Sequence, residues 1–212
     1  MTTILDLVVL CPDCHEAFVT HALGSYGNAG QDTDFRPHYW GLNPLPFMVH
    51  ECPNCSFVAP DDRFDSSDAS SDGLPRDPAG PGADRLARAA RSMRDTEASA
   101  EEVAWLFLRA AWCARIDGDA ADERMNMTEA AQSFEMALEG EEIGANNTAA
   151  ATYLVGELHR RCGDFARALS WFARASALDH PNPDFDLTGL IERQRQLAQA
   201  GDAANAEMPS ED

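Results

Sequence analysis

Apolar positions follow two rhythms along the chain. Ile4, Leu5, Leu7, Val8, Val9 and Leu10 form a short apolar run near the start. No basic stretch precedes it and no small-residue cleavage site follows, so it reads as a strand and not as a targeting segment. Phe47, Met48 and Val49 read as a second strand. From Asp84 the spacing becomes helical. Leu86, Ala89, Ala90 and Met93 share one face of a short helix, and a longer helix over Ser99 to Ile116 carries Val103, Leu106, Phe107, Ala110, Ala111 and Ala114 at three- and four-residue intervals. Asp117-Gly118-Asp119 is its stop signal. Further helices are predicted at about 126–139, 147–162, 164–178 and 186–200, punctuated by Gly163, Pro181 and Pro183.

Between these rhythms, residues 65–83 are Ser, Asp, Gly and Pro with almost nothing to bury, which predicts a flexible acidic linker. The division that follows is a small metal-binding β region over 1–64, the linker over 65–83, a helical domain over 84–201 and a disordered tail over 202–212. The expected fold class is α+β, mostly α.

Charge narrows the partners. The chain has 36 acidic residues against 16 Lys+Arg, for a formal net charge of -20, and all of the latter are Arg. An acidic surface repels phosphate backbones, so nucleic acid is a poor default partner unless Arg36, Arg63 and the arginines of 85–94 act together. No stretch approaches the roughly 18 to 20 apolar residues that span a bilayer. A cytoplasmic protein with no membrane partner is expected, and in that compartment paired cysteines more often hold metal than form disulfides.

Cys11-Pro-Asp-Cys14 and Cys52-Pro-Asn-Cys55 are two Cys-x-x-Cys knuckles. Each tight turn aims two thiolates at one ion, and two turns complete a tetrahedral shell; Pro at the second position preorganises each turn. The separation exceeds the roughly 15 to 20 residues of a compact ribbon, so a sizeable insertion closes back on itself. His15 and His50 flank the knuckles and can stand in for a Cys, although four thiolates already satisfy the coordination number. One structural zinc ion is expected. Iron, as in rubredoxin-like sites, is the less favoured choice, because Gly commonly follows the second Cys there and His15 and Ser56 stand in those places here. A closed shell leaves no position for water or substrate. The sequence also lacks G-x-S-x-G, a phosphate-binding Gly-rich loop and a metalloprotease His pair, so no enzyme is expected.

Between the knuckles, Asp32, Asp34, Arg36 and His38 alternate, which puts them on one face of an extended chain. They form either an acid/base or recognition patch, or a structural pairing in which Arg36 fixes the loop on a carboxylate. The run Asp32-Thr-Asp34-Phe-Arg36-Pro37, set between two Cys-Pro-x-Cys knuckles and followed by helices, resembles the bacterial family known as domain of unknown function 2225. That resemblance implies a zinc-ribbon-like start and tetratricopeptide-like helices, with no established activity.

Residues 149–181 resemble one tetratricopeptide repeat, with Gly156, Gly163, Ala168, Phe172, Ala175 and Pro181 near its expected positions. A degenerate earlier copy is expected over Trp105, Leu108 and Trp112 and then Ala130, Phe134 and Ala137, with 117–124 as an insertion at its turn. Cys113 and Cys162 read as small buried hydrophobes. The repeat's phasing makes Tyr153, Glu157, Arg160 and Arg161 the residues of a partner-binding groove. There the arginines either take an acidic peptide or simply complement the helix dipole. The expected function is a zinc-binding adaptor that grips a protein partner through these helices. The alternatives are a nucleic-acid or ribosome-associated zinc ribbon and a rubredoxin-like iron electron carrier.

Overall fold

The computed structural model describes residues 3–96, 98–179 and 186–208. The expected α+β, mostly α, architecture is present. β1 (Ile4–Leu10) pairs antiparallel with β2 (Ala17–Leu23) along its whole length, from Ile4 opposite Leu23 to Leu10 opposite Ala17. β3 (Asn28–Gln31) pairs with β4 (Pro37–Tyr39), and β5 (Val49–Glu51) with β6 (Val58–Pro60). Each of these hairpins carries chemistry at its turn. The first and third turns are the two cysteine knuckles, and the second holds Asp32 to Arg36.

Six helices follow among the described residues: α1 (Gly82–Arg94), α2 (Ala100–Asp117), α3 (Ala120–Glu139), α4 (Thr148–Arg161), α5 (Phe165–Ser176) and α6 (Leu187–Gln199). Ser99 caps α2 in a reciprocal capping box with Glu102, and Gly118 ends it in the left-handed region at φ 78°. The Asp119 side chain accepts from the Ala121 and Asp122 amides, so α3 starts at once. The insertion expected over 117–124 is therefore absent. The first turns of α3 are largely solvent-facing and lack the apolar stripe that reveals a helix in sequence. Pro181 and Pro183, expected to punctuate the last helices, lie outside the described residues. No helix among those described is long and apolar enough to cross a membrane.

Alanines set the packing. Ala104, Ala110, Ala111 and Ala114 of α2 are fully or almost fully buried, which lets neighbouring helices approach closely. Gly156 of α4 goes further, since a Cβ there would lie 2.7 Å from the Phe172 ring of α5. The largest apolar cluster joins α1 to α4 with Leu45, Val49 and Val58, so the β region and the helices share one core.

The stretch expected as a flexible linker is bound to the body. β7 (Asp65–Ser66) pairs with β1 at Val9 and Leu10, the Asp77 amide donates to Val19, and Arg76 bridges to Val19. Asp77 is buried, and its carboxylate accepts from the Thr20 hydroxyl, the Glu51 amide and Arg85 at 2.6 to 3.0 Å. Composition signals disorder where apolar surface is missing, and here a buried carboxylate with three donors does the anchoring instead. Residues 202–208, expected in a disordered tail, are likewise docked.

Candidate metal centre and the ionic seam beside it

The two knuckles are built alike. In the first, the Cys11 amide donates to the Glu16 carbonyl at 3.1 Å and the His15 amide to the Cys11 carbonyl at 2.9 Å. In the second, the Cys52 amide donates to Phe57 at 2.8 Å and the Ser56 amide to Cys52 at 2.9 Å. His15 and Ser56, which follow the second cysteines, both adopt φ 61°. The backbone therefore makes the left-handed turn that glycine favours even though neither residue is glycine.

The four Sγ atoms lie within 4.8 Å of one another, with Cys11 to Cys55 and Cys14 to Cys52 each at 3.6 Å. A disulfide needs about 2.05 Å. A tetrahedron with metal–sulfur bonds of about 2.3 Å has edges of about 3.8 Å, so the spacing fits four thiolates around one cation. Desolvation and the neighbouring thiols push the Cys55 thiol above its ordinary value, and a bound cation reverses that sign by stabilising thiolate. Neither histidine joins the set. His15 is exposed, and His50 is buried against the Thr20 hydroxyl at 2.9 Å. Cys113 and Cys162 also lie outside it; Cys113 is buried beside Asn43, and burial pushes its thiol up to about 12.

The polar turn between β3 and β4 faces inward. Asp32 and Asp34 are buried. The Asp32 carboxylate accepts from Arg36 Nε at 2.6 Å, His38 Nε2 at 2.8 Å and Arg115 Nη1 at 2.7 Å. Burial alone would raise this carboxyl, but the His38 and Arg36 bonds more than offset it and bring it down to about 2. Asp34 accepts from both Arg115 Nη atoms and from Trp112 Nε1, and it lies 3.7 Å from Arg161. Glu123 takes Arg115 Nε at 2.6 Å and Arg161 Nη2 at 2.7 Å. The four residues singled out in sequence thus form a seam that clamps the β region to α2, α3 and α4. Sequence reasoning missed Arg115 and Glu123, because a cation in the last turn of a helix reads as an ordinary dipole partner.

The chain matches, over residues 5–73 and 83–200, the family described as an uncharacterized protein conserved in bacteria, DUF2225. It belongs to that family. No curated protein and no solved structure gives a significant match.

In this DUF2225 chain the predicted groove is closed. Tyr153, Glu157 and Arg160 are fully buried, and the Arg161 side chain nearly so. The Tyr153 hydroxyl donates to the Thr33 carbonyl at 2.8 Å, and the Thr33 hydroxyl to Glu157 at 2.7 Å. Arg160 pairs with Glu157 at 2.6 Å and donates to the carbonyls of Asp202 and Ala204. Helical phasing puts these four on a face expected to be an open groove, and the structure buries that face instead. The same chain then returns to cover it, so these residues do not form an open docking surface.

An open surface lies nearby. Trp40 is 64% exposed, and Tyr26, Leu42 and Ile116 are exposed as well. Tyr26 meets the Tyr39 ring edge-on, and Gly27 lies against Trp40. Ile116 also lines a cavity of about 310 Å³, together with Arg36, His38, Tyr39, Gly41, Asn43 and Glu207.

Proposed function

We propose that the chain is a cytoplasmic, non-catalytic adaptor that holds one structural zinc ion and docks a protein partner on the surface around Trp40. The exposed side chains of Trp40, Leu42 and Tyr26 carry this reading, the first two next in the chain to Tyr39, Gly41 and Asn43 of a polar cavity that Ile116 also lines. Trp, Tyr and Arg are the residue types in which binding energy concentrates at protein interfaces, and Arg36 contributes the cavity's cation. The sulfur spacing supports a single tetrahedral ion, and four protein ligands leave it no position for substrate. Zinc is preferred to iron because it needs no redox role and suits a closed structural shell.

A nucleic-acid reading loses its basic patch. Of the six arginines it needs, five are each paired with a carboxylate, namely Arg36, Arg63, Arg85, Arg88 and Arg94, which leaves Arg91 alone too little to make a patch. Elemental analysis should return about one zinc per chain on the four-ligand rule. Proteins captured from a native-host lysate should fall more than tenfold for a Tyr26→Ala, Trp40→Ala double variant with unchanged circular dichroism, since interface anchors contribute about 2 kcal/mol or more. Equal capture by the variant and the native chain would refute the docking surface.

A further inference from the structure

Residues 202–208 lie in the channel between Gln31–Thr33 and α4 in the way a bound peptide lies on its receptor. Their main chain makes most of the contacts. Arg160 donates to the carbonyls of Asp202 at 2.7 Å and Ala204 at 3.0 Å. The Thr33 amide donates to the Ala206 carbonyl and the Met208 amide to the Gln31 carbonyl, both at 2.9 Å, around an antiparallel bridge between Asp32 and Glu207. This is strand addition, in which backbone bonds give affinity and a few side chains give selectivity. Two side chains are read. Met208 packs on the apolar cluster of α4, α5 and α6, and the Asn205 amide oxygen accepts from Arg161 at 2.6 Å and Arg115 at 3.2 Å.

The segment brings little apolar surface of its own, being Asp202-Ala-Ala-Asn-Ala-Glu-Met208. It leaves α6 through Gly201 at φ 70°, a conformation open to a hinge. The channel cannot stand empty without cost, because Arg160 is fully buried and would lose its carbonyl acceptors. Any replacement must therefore bring acceptor oxygens where the carbonyls of Asp202 and Ala204 now sit. Charge then selects at the Asn205 position. The guanidinium groups of Arg36, Arg115 and Arg161 are already matched by Asp32, Asp34 and Glu123, and His38 adds charge only when protonated. A neutral amide fits there, whereas a carboxylate would be a fourth anion.

We propose that this channel is a peptide-binding site, that residues 202–208 are its internal ligand, and that its external ligand is an extended partner segment carrying a neutral amide at the Asn205 position. The inference rests on the adaptor reading and describes the partner's segment. Glu207 lines the same cavity as Tyr39, Gly41 and Asn43, the chain segment that carries Trp40, so the channel reaches that cavity.

The test uses the full chain and a fluorescent synthetic peptide of residues 201–208. Asn205→Asp should release the internal segment, speeding hydrogen exchange at the Thr33 and Met208 amides at least tenfold. The variant should also bind the peptide at least tenfold more tightly than the native chain, with Asn205→Ala intermediate. The peptide's own Asn205→Asp counterpart should bind more weakly. Protected amides and no peptide uptake in Asn205→Asp overturn the proposal, and equal binding of the Asn and Asp peptides overturns the charge selection. If Asn205→Asp loses helicity, Asn205→Ala carries the test, and its failure to take up peptide is equally decisive. Failure here with Trp40-dependent capture intact removes the channel ligand alone, while peptide uptake without Trp40-dependent capture removes the docking surface alone.

Discussion

The β region and the helical stack solve the stability problem by different means. Around the knuckles the buried apolar set is small: Val9, Phe18, Ala59 and Phe64, beside Cys11 and Cys52. The helices bury a far larger set, in which alanines permit close approach and Phe107, Phe134 and Leu154 fill the space between. The first core is small for the entropy of ordering its hairpins, and a cation held by the four cysteines would add a cross-link there. The second core needs none. Yet Leu45, Val49 and Val58 belong to the helical core, so the two regions are joined in energy as well as in sequence.

The largest effect should come from breaking the knuckles. Metal coordination of this type contributes on the order of 10 kcal/mol to folding, comparable to the whole stability of a domain. Replacing Cys11 and Cys52 together by Ser, or adding a strong chelator, should abolish metal content and melt the hairpins. Because the core is shared, the helical transition followed by circular dichroism should also shift to lower temperature. A helical melt unmoved by chelation would separate the two regions.

Next in size is the seam. Arg115→Met leaves Asp32 and Asp34 buried with fewer cations, and breaking such a pair costs about 3–5 kcal/mol. Arg195→Met, which removes an exposed pairing with Glu192, should cost less than about 1 kcal/mol. Urea midpoints of the two variants check the contrast. Gly156→Ala probes the helices alone: its methyl would press into Phe172, and overpacking of this kind costs about 1–3 kcal/mol. The metal content of that variant should remain unchanged.

The smallest effect has the opposite sign. His15→Gly and Ser56→Gly relieve left-handed backbone at the two knuckles, and each should raise stability by about 0.5–1 kcal/mol with the metal still bound. A lowered denaturation midpoint in both variants would show that these side chains contribute more than their strained backbone costs.

Much of this was legible in sequence because its signals are local. The Cys-Pro-x-Cys spacing led directly to four converging sulfurs, and Ser99 and Gly118 bounded α2 by capping chemistry that acts within one turn. One misreading is local, since Asp117-Gly118-Asp119 reads as a stop signal although Asp119 also caps α3; the others involve partners distant along the chain. Residues 65–83 looked unfolded because that stretch offers almost nothing apolar to bury, while Asp77 finds its donors on β2, β5 and α1. Arg160 and Arg161 looked available because helical periodicity identifies an inner face without showing what covers it. The polar turn at Asp32–Arg36 was found, but its role as a clamp required Arg115, whose position carries no local signal.

The bridge between Asp32 and Glu207 has a kinetic consequence. It joins a residue just after β3 to one near the end of the described chain, so the polypeptide from β4 through α6 forms one closed loop. Loop closure costs entropy that grows only as the logarithm of length, and the thermodynamic burden is modest. The burden on folding rate is larger, because contacts this distant in sequence must be searched for before they stabilise anything. Helices α1 to α5 can assemble from near neighbours, whereas the Arg160 and Asn205 contacts wait for the loop to close. That closure should appear as a slow late phase, detected as delayed protection of the Thr33 and Met208 amides in a refolding experiment.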